Sequence, residues 1–169
     1  SDLSGYVTTS GESIDALRQA LVLKIGENIQ VRRLAQLQAP AGGLVAHYVH
    51  GGRLGVMVAL DVNEPELGRD LAMHIAASQP VAIDESDCSK DVLDSERAVY
   101  EAQAEASGKP SEIQARIVAG RIKKYLEENT LLAQAFVKNP DITVGSLLKP
   151  SGATVLAFEC FVLGSQSDA

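Results

Sequence analysis

The spacing of apolar residues changes along this chain, and each change marks an element. After a polar lead from Ser1 to Ser10, Ile14, Leu17, Leu21 and Ile25 recur at helical spacing. Ser10 and Ser13 offer capping hydroxyls, and Gly26 stands where the helix should end. Over Asn28 to Leu34 the period shortens: Ile29, Val31 and Arg33 alternate with Gln30, Arg32 and Leu34, which predicts a short strand. Pro40 to Gly43 then breaks the chain.

The stretch from His47 to Leu60, HYVHGGRLGVMVAL, carries two of the three histidines, a Gly-Gly pair, an arginine and an apolar run. Glycine enters positive φ without steric cost, so Gly51-Gly52 reads as a two-residue hairpin turn. That register pairs His50 with Arg53, Val49 with Leu54 and His47 with Val56. It puts Val45, His47, Val49, Leu54, Val56 and Val58 on one face, and Ala46, Tyr48, His50, Arg53, Gly55 and Met57 on the other. His50 is thereby expected beside the turn, away from the apolar face.

Helical spacing returns downstream. Asn63 is the expected cap of a helix with Pro65 in its first turn, Leu67, Leu71, His74, Ile75 and Ser78 on one face, and Pro80 as its end. Ser89 to Ala106 predicts a long charged helix with a narrow stripe of Val92, Leu93, Val99 and Tyr100. Ser107 to Pro110 stops it and opens another, bearing Ile113, Ile117, Val118, Ile122, Tyr125 and Leu126. Together they predict an antiparallel αα-hairpin with much of its surface solvated. Thr143 to Leu148 reads as a short helix, and Ala153 to Leu163 as a buried strand rich in β-branched and aromatic residues.

Composition narrows the function classes. A chain of 169 residues can bury a core, and nothing in it approaches the roughly 18 consecutive apolar residues of a membrane span. The net charge of -7 and the absence of Trp disfavour phosphate-gripping or base-stacking surfaces, so no direct nucleic acid is expected. Cys88 and Cys160 have no metal spacing and are read as reduced thiols of a cytoplasmic protein.

Candidate chemistry is sparse. His47 and His50 lie three apart on a strand and point to opposite sides, so they do not share a metal ion, and no metal or cofactor is expected. Gly51 to Gly55 has neither P-loop nor GxGxxG spacing and precedes a strand. His50 at the hairpin tip is a candidate partner contact, with a merely solvated turn histidine as the plain alternative. His74, between Leu71 and Ile75, reads as a core histidine with one satisfied hydrogen bond. The enzyme alternative would use His47 or His74 with a carboxylate, but no GxSxG or similar nucleophile motif is present. Arg32-Arg33 and Arg121 with Lys123-Lys124 are small basic clusters in an acidic field, better read as solvated faces than as an RNA site. The residues alone thus describe a cytosolic α+β binding module.

Several segments, in order, resemble bacterial translation elongation factor Ts. They are KIGENIQVRR (Lys24 to Arg33), HGGRLGV (His50 to Val56), LAMHIAAS (Leu71 to Ser78) with Pro80, and SGKP (Ser107 to Pro110) running to Gly120-Arg121 and Lys123-Lys124. AFV (Ala135 to Val137) and TVGSLLK (Thr143 to Lys149) complete the set. The resemblance implies an α+β fold: a small antiparallel sheet packed with helices, of the family's dimerisation-domain type, with an inserted antiparallel coiled coil. Residues 1–40 would close an N-terminal core subdomain, 41–83 and 129–169 form the C-terminal core subdomain, and 84–128 the inserted αα-hairpin.

It further implies guanine-nucleotide exchange on the nucleotide-binding domain of elongation factor Tu, whose helix enters an apolar recess of the exchange factor. The matching positions are Ile25 and Gly26 at the helix end, His50 at the hairpin tip, and Val137 in the Phe-Val segment. Lys138 departs from relatives that carry an apolar residue there. A homodimer is a further candidate assembly. The family's Thr-Asp-Phe-Val motif, associated with disruption of the Mg²⁺ site, has no match in these residues, so the chain is expected to supply mainly docking surface.

Overall fold

The computed structural model describes residues 5–165. Residues up to Gln36 form one compact unit and those from Leu37 onward another. In the first, α1 (Ile14–Ile25) starts where Ser13 Oγ accepts from the Ala16 N–H at 3.1 Å and stops at Gly26, whose φ of 79° no β-carbon has to tolerate. Asp15 in its first turn pairs with Arg18 at 2.8 Å. None of its residues is fully buried, and Leu21, Leu23 and Ile25 are all exposed.

The strand expected over residues 28–34 does not form. Ile29 and Val31 are indeed half-buried while Gln30 and Arg32 are exposed, but no ladder satisfies the backbone. Alternation describes which side chains face in; a strand also needs a neighbour to bond.

The second unit contains β1 (Leu44–His50), β2 (Leu54–Leu60), α2 (Pro65–Ser78), α3 (Lys90–Ala106), α4 (Ser111–Asn129), β3 (Ala135–Phe136), β4 (Asn139–Thr143), α5 (Val144–Leu148) and β5 (Val155–Val162). Strands β1, β2 and β5 make an antiparallel sheet in that order, as the sequence led one to expect for the hairpin and the last strand. The class is α+β. A small second hairpin of β3 and β4 was not foreseen. The core joins β2 (Val56, Val58, Leu60) to α2 (Leu71, Ala72, Ile75), with Leu131, Phe136, Val144, Leu148 and Val155 closing it.

The register of β1 on β2 differs by one residue from the two-residue-turn expectation. His50 opposes Leu54, Tyr48 opposes Val56, Ala46 opposes Val58 and Leu44 opposes Leu60. Gly51 and Gly52 do take positive φ, at 57° and 68°, and the Arg53 N–H donates to the His50 carbonyl at 3.0 Å. Arg53 is then an extra residue, its carbonyl turned to accept from the Leu163 N–H beyond β5 at 2.7 Å. A one-residue slip exchanges faces. Ala46 and Tyr48 therefore pack on the core with Leu54, while His47 and Val49 are on the opposite face, Val49 exposed. His50 shares the Tyr48 face, which corrects the expectation that it points away from the apolar side.

Helix α2 lies close on this sheet because it carries glycine at the crossing. A β-carbon at Gly68 would stand 2.7 Å from Ala46 Cβ and 3.1 Å from a Leu44 methyl. Gly68→Ala is expected to lower stability, since overpacking of about 1–3 kcal/mol outweighs the gain of up to about 1 kcal/mol in helix propensity. A chemical denaturation midpoint that rises instead would show that α2 can lift at no cost. The helix begins after Glu64, not Asn63: Pro65 occupies its first position and no side chain caps it.

Helices α3 and α4 pack as an antiparallel pair around the turn at Gly108, φ 64°. The stripe is partly other than expected: Ala104 and Val118 are buried, whereas Val92, Val99 and Ile113 are exposed. Small Ala104 lets the two helices approach, and Tyr100 lies under the Arg121 guanidinium, 5.7 Å from the ring centre. Cys88 and Cys160 are not joined in a disulfide. Among the described residues, no helix is long and apolar enough to cross a membrane.

Candidate functional site

His50 ends β1 at the exposed tip of the first hairpin. Its Nδ1 lies 3.1 Å from Tyr48 Oη and the two rings are 6.1 Å apart. Tyr48 is itself half-buried and packed against the core, so a side chain with one edge in the core lies beside an exposed imidazole. Val137 occupies the turn of the second hairpin, between Phe136 and its partner Asn139, and is 46% exposed while Phe136 is 5% exposed. Ile25 and Gly26 end α1 in the first unit, with the Ile25 side chain 55% exposed. Thus His50 and Val137 stand at two turns of one unit, His50 beside the half-buried Tyr48 and Val137 beside the buried Phe136, and Ile25 and Gly26 belong to the other unit.

The residues that build the Val137 turn were not apparent from sequence. His74 of α2 is fully buried and makes two hydrogen bonds, one more than expected of it. The Val137 N–H donates to His74 Nδ1 at 3.2 Å, so the ring proton resides on Nε2, which donates to Gln134 Oε1 at 2.9 Å. The Gln134 amide in turn donates to the Glu128 carbonyl at 2.8 Å. One helical turn before His74, Asp70 takes the Lys138 ammonium at 2.5 Å. A lone glutamine in an apolar neighbourhood was the available signal, but its partner lies 60 positions away.

This geometry bears on the enzyme alternative. Both His74 nitrogens are engaged, by an amide oxygen and a backbone N–H, with no carboxylate among those bonds and no lone pair left for a substrate proton. His47 is a strand residue on the face opposite His50.

Burial holds the His74 imidazole below its ordinary pKa, opposed by the weaker effect of the Gln134 hydrogen bond. The unfolded chain therefore takes up a proton near pH 6.5 that the folded chain refuses until lower pH. Stability from this group is complete above that value. It is lost as pH falls below it, by at most about 1.4 kcal/mol per pH unit. Urea midpoints measured downward from about pH 7.5 should show the loss, and a His74→Asn chain should lack this component.

Comparison with known proteins follows the same outline. The family model described as elongation factor TS matches residues 2–165. The chain is 51% identical to elongation factor Ts of Thioalkalivibrio sulfidiphilus over 154 residues, 91% of this chain and 53% of that protein. Against the factor of Nitrosospira multiformis it is 52% identical over 157 residues, 92% and 52% of the two. Against that of Legionella pneumophila strain Lens it is 43% identical over 163 residues, 96% and 55%. The chain spans about half the length of these relatives.

Proposed function

The chain belongs to the elongation factor Ts family, and from that premise we propose that it docks on the nucleotide-binding domain of elongation factor Tu during translation elongation. In this reading residues 1–40 end one core subdomain, 41–83 with 129–169 make the docking body, and 84–128 form a protruding coiled coil. His50 and Val137 are the partner contacts of the docking body; Ile25 and Gly26, at the end of α1, are the candidate contacts of the first unit taken by itself. The chain contributes binding surface, and little of the step that expels nucleotide.

One observation carries this reading. His50, a candidate from the hairpin pattern and from the resemblance, and Val137, a candidate from the resemblance, are exposed side chains on turns whose neighbours are anchored in the core. Exposed, pre-oriented side chains beside apolar anchors are what a docking surface requires, because little ordering entropy remains to be lost on binding. Titration calorimetry with GDP-bound and nucleotide-free elongation factor Tu tests it. His50→Ala should weaken binding by about 1 kcal/mol or more with the fold intact. Unchanged affinity would return His50 to the status of a solvated turn residue.

A further inference from the structure

We propose that His74 and Gln134 are positioning residues for docking: a buried imidazole, fixed in one tautomer by a buried amide, pins the backbone of the Val137 turn so that the valine side chain is presented outward. The inference rests on the docking reading above and adds to it two residues that make no contact with the partner.

The Val137 residue is divided between two environments. Its side chain is about half exposed, yet its N–H is held at 3.2 Å by a fully buried ring on another element. A leucine at position 74 would fill the same space and leave that N–H without an acceptor, weakening the closed turn. Gln134 removes the ring's freedom to choose a tautomer. Its own amide protons go to the Glu128 and Ser78 carbonyls, at 2.8 and 3.5 Å, so only Oε1 is available to face His74. Nε2 must then be the donor and Nδ1 the acceptor. Phe136, tilted on His74 at 5.9 Å, covers the ring. Asp70 and His74, four apart on α2, grip consecutive turn residues: the Lys138 ammonium and the Val137 N–H. The ion pair is partly exposed and contributes little, so the imidazole is the principal fastening.

Long-range ¹H–¹⁵N spectra of the wild-type chain at neutral pH should show His74 as the Nε2–H tautomer; the Nδ1–H tautomer would overturn the proposal. This measurement needs no variant, so its result holds even if a substitution fails to fold. Binding to elongation factor Tu supplies the second arm. Asparagine places its amide oxygen near the Nδ1 position and glutamine near Nε2. His74→Asn should therefore bind within about threefold of wild type, while His74→Gln should bind about tenfold more weakly. Equal losses in the two variants would overturn the proposal. In a Val137→Ala background the His74→Gln loss should shrink below about twofold, since the two act through one contact. If Val137→Ala weakens binding and His74→Gln still adds its full loss, docking stands and the positioning role falls. If Val137→Ala alone changes nothing, docking through Val137 is refuted and the inference goes with it.

Discussion

Phe136→Ala is expected to lower the unfolding free energy by about 3–5 kcal/mol, the range for truncating a buried aromatic side chain. The ring is 5% exposed and belongs to the core with Leu71, Ile75 and Val144. Its strand is only two residues long, so little backbone bonding remains to hold the position once the ring is removed. The loss would be a large part of the roughly 5–15 kcal/mol that a domain possesses. It would also uncover His74, letting water compete for the Val137 N–H. The neighbouring Val137→Ala, at an exposed position, should stay within about 0.5 kcal/mol of wild type. Urea unfolding of the two variants checks the contrast. A Phe136→Ala cost below about 1 kcal/mol would mean that the second hairpin is not part of the cooperative core.

How much of the fold is readable from sequence depends on the range of the interactions. The helices are, because their spacing, caps and breakers are local: Ser13 and Gly26 bound α1 where their chemistry predicts. The composition of the main sheet is also readable, from the apolar runs of β2 and β5. Its register is not. The Gly51-Gly52 turn is equally good with or without Arg53 as an extra residue, and what decides is distant: Leu163 taking the Arg53 carbonyl, and α2 pressing Gly68 onto Ala46 and Leu44. The segment around Ile29 and Val31 shows the opposite failure, since its local pattern is right but no neighbouring strand bonds it. At the site, His50 and Val137 are found by resemblance. Their supports, Gln134, His74 Nδ1 and Asp70, depend on pairings across 60 or more positions.

A fluorescent GDP analogue bound to elongation factor Tu is expected to leave at nearly its spontaneous rate when this chain is added. The full-length relative of Thioalkalivibrio sulfidiphilus, of which this chain covers 53%, is the reference to run under the same conditions. The reason is thermodynamic. A protein that binds the GDP-bound and nucleotide-free partners equally well shifts no equilibrium, however tightly it binds. In the proposed docking mode, contacts at Val137 and His50 would give affinity for a surface of the partner, and that affinity need not depend on whether the nucleotide is present. The resemblance ties discrimination to disruption of the Mg²⁺ site, and the Thr-Asp-Phe-Val motif associated with it does not occur in these 169 residues. If the coupling between docking and GDP binding is below about 1.4 kcal/mol, the two dissociation constants differ by less than tenfold, and the affinity for GDP shifts by no more than that. Acceleration close to that of the full-length relative would place the discriminating contact within this chain. Its source would then have to be sought among the docking residues themselves, with His50, the exposed imidazole at the hairpin tip, the first to replace.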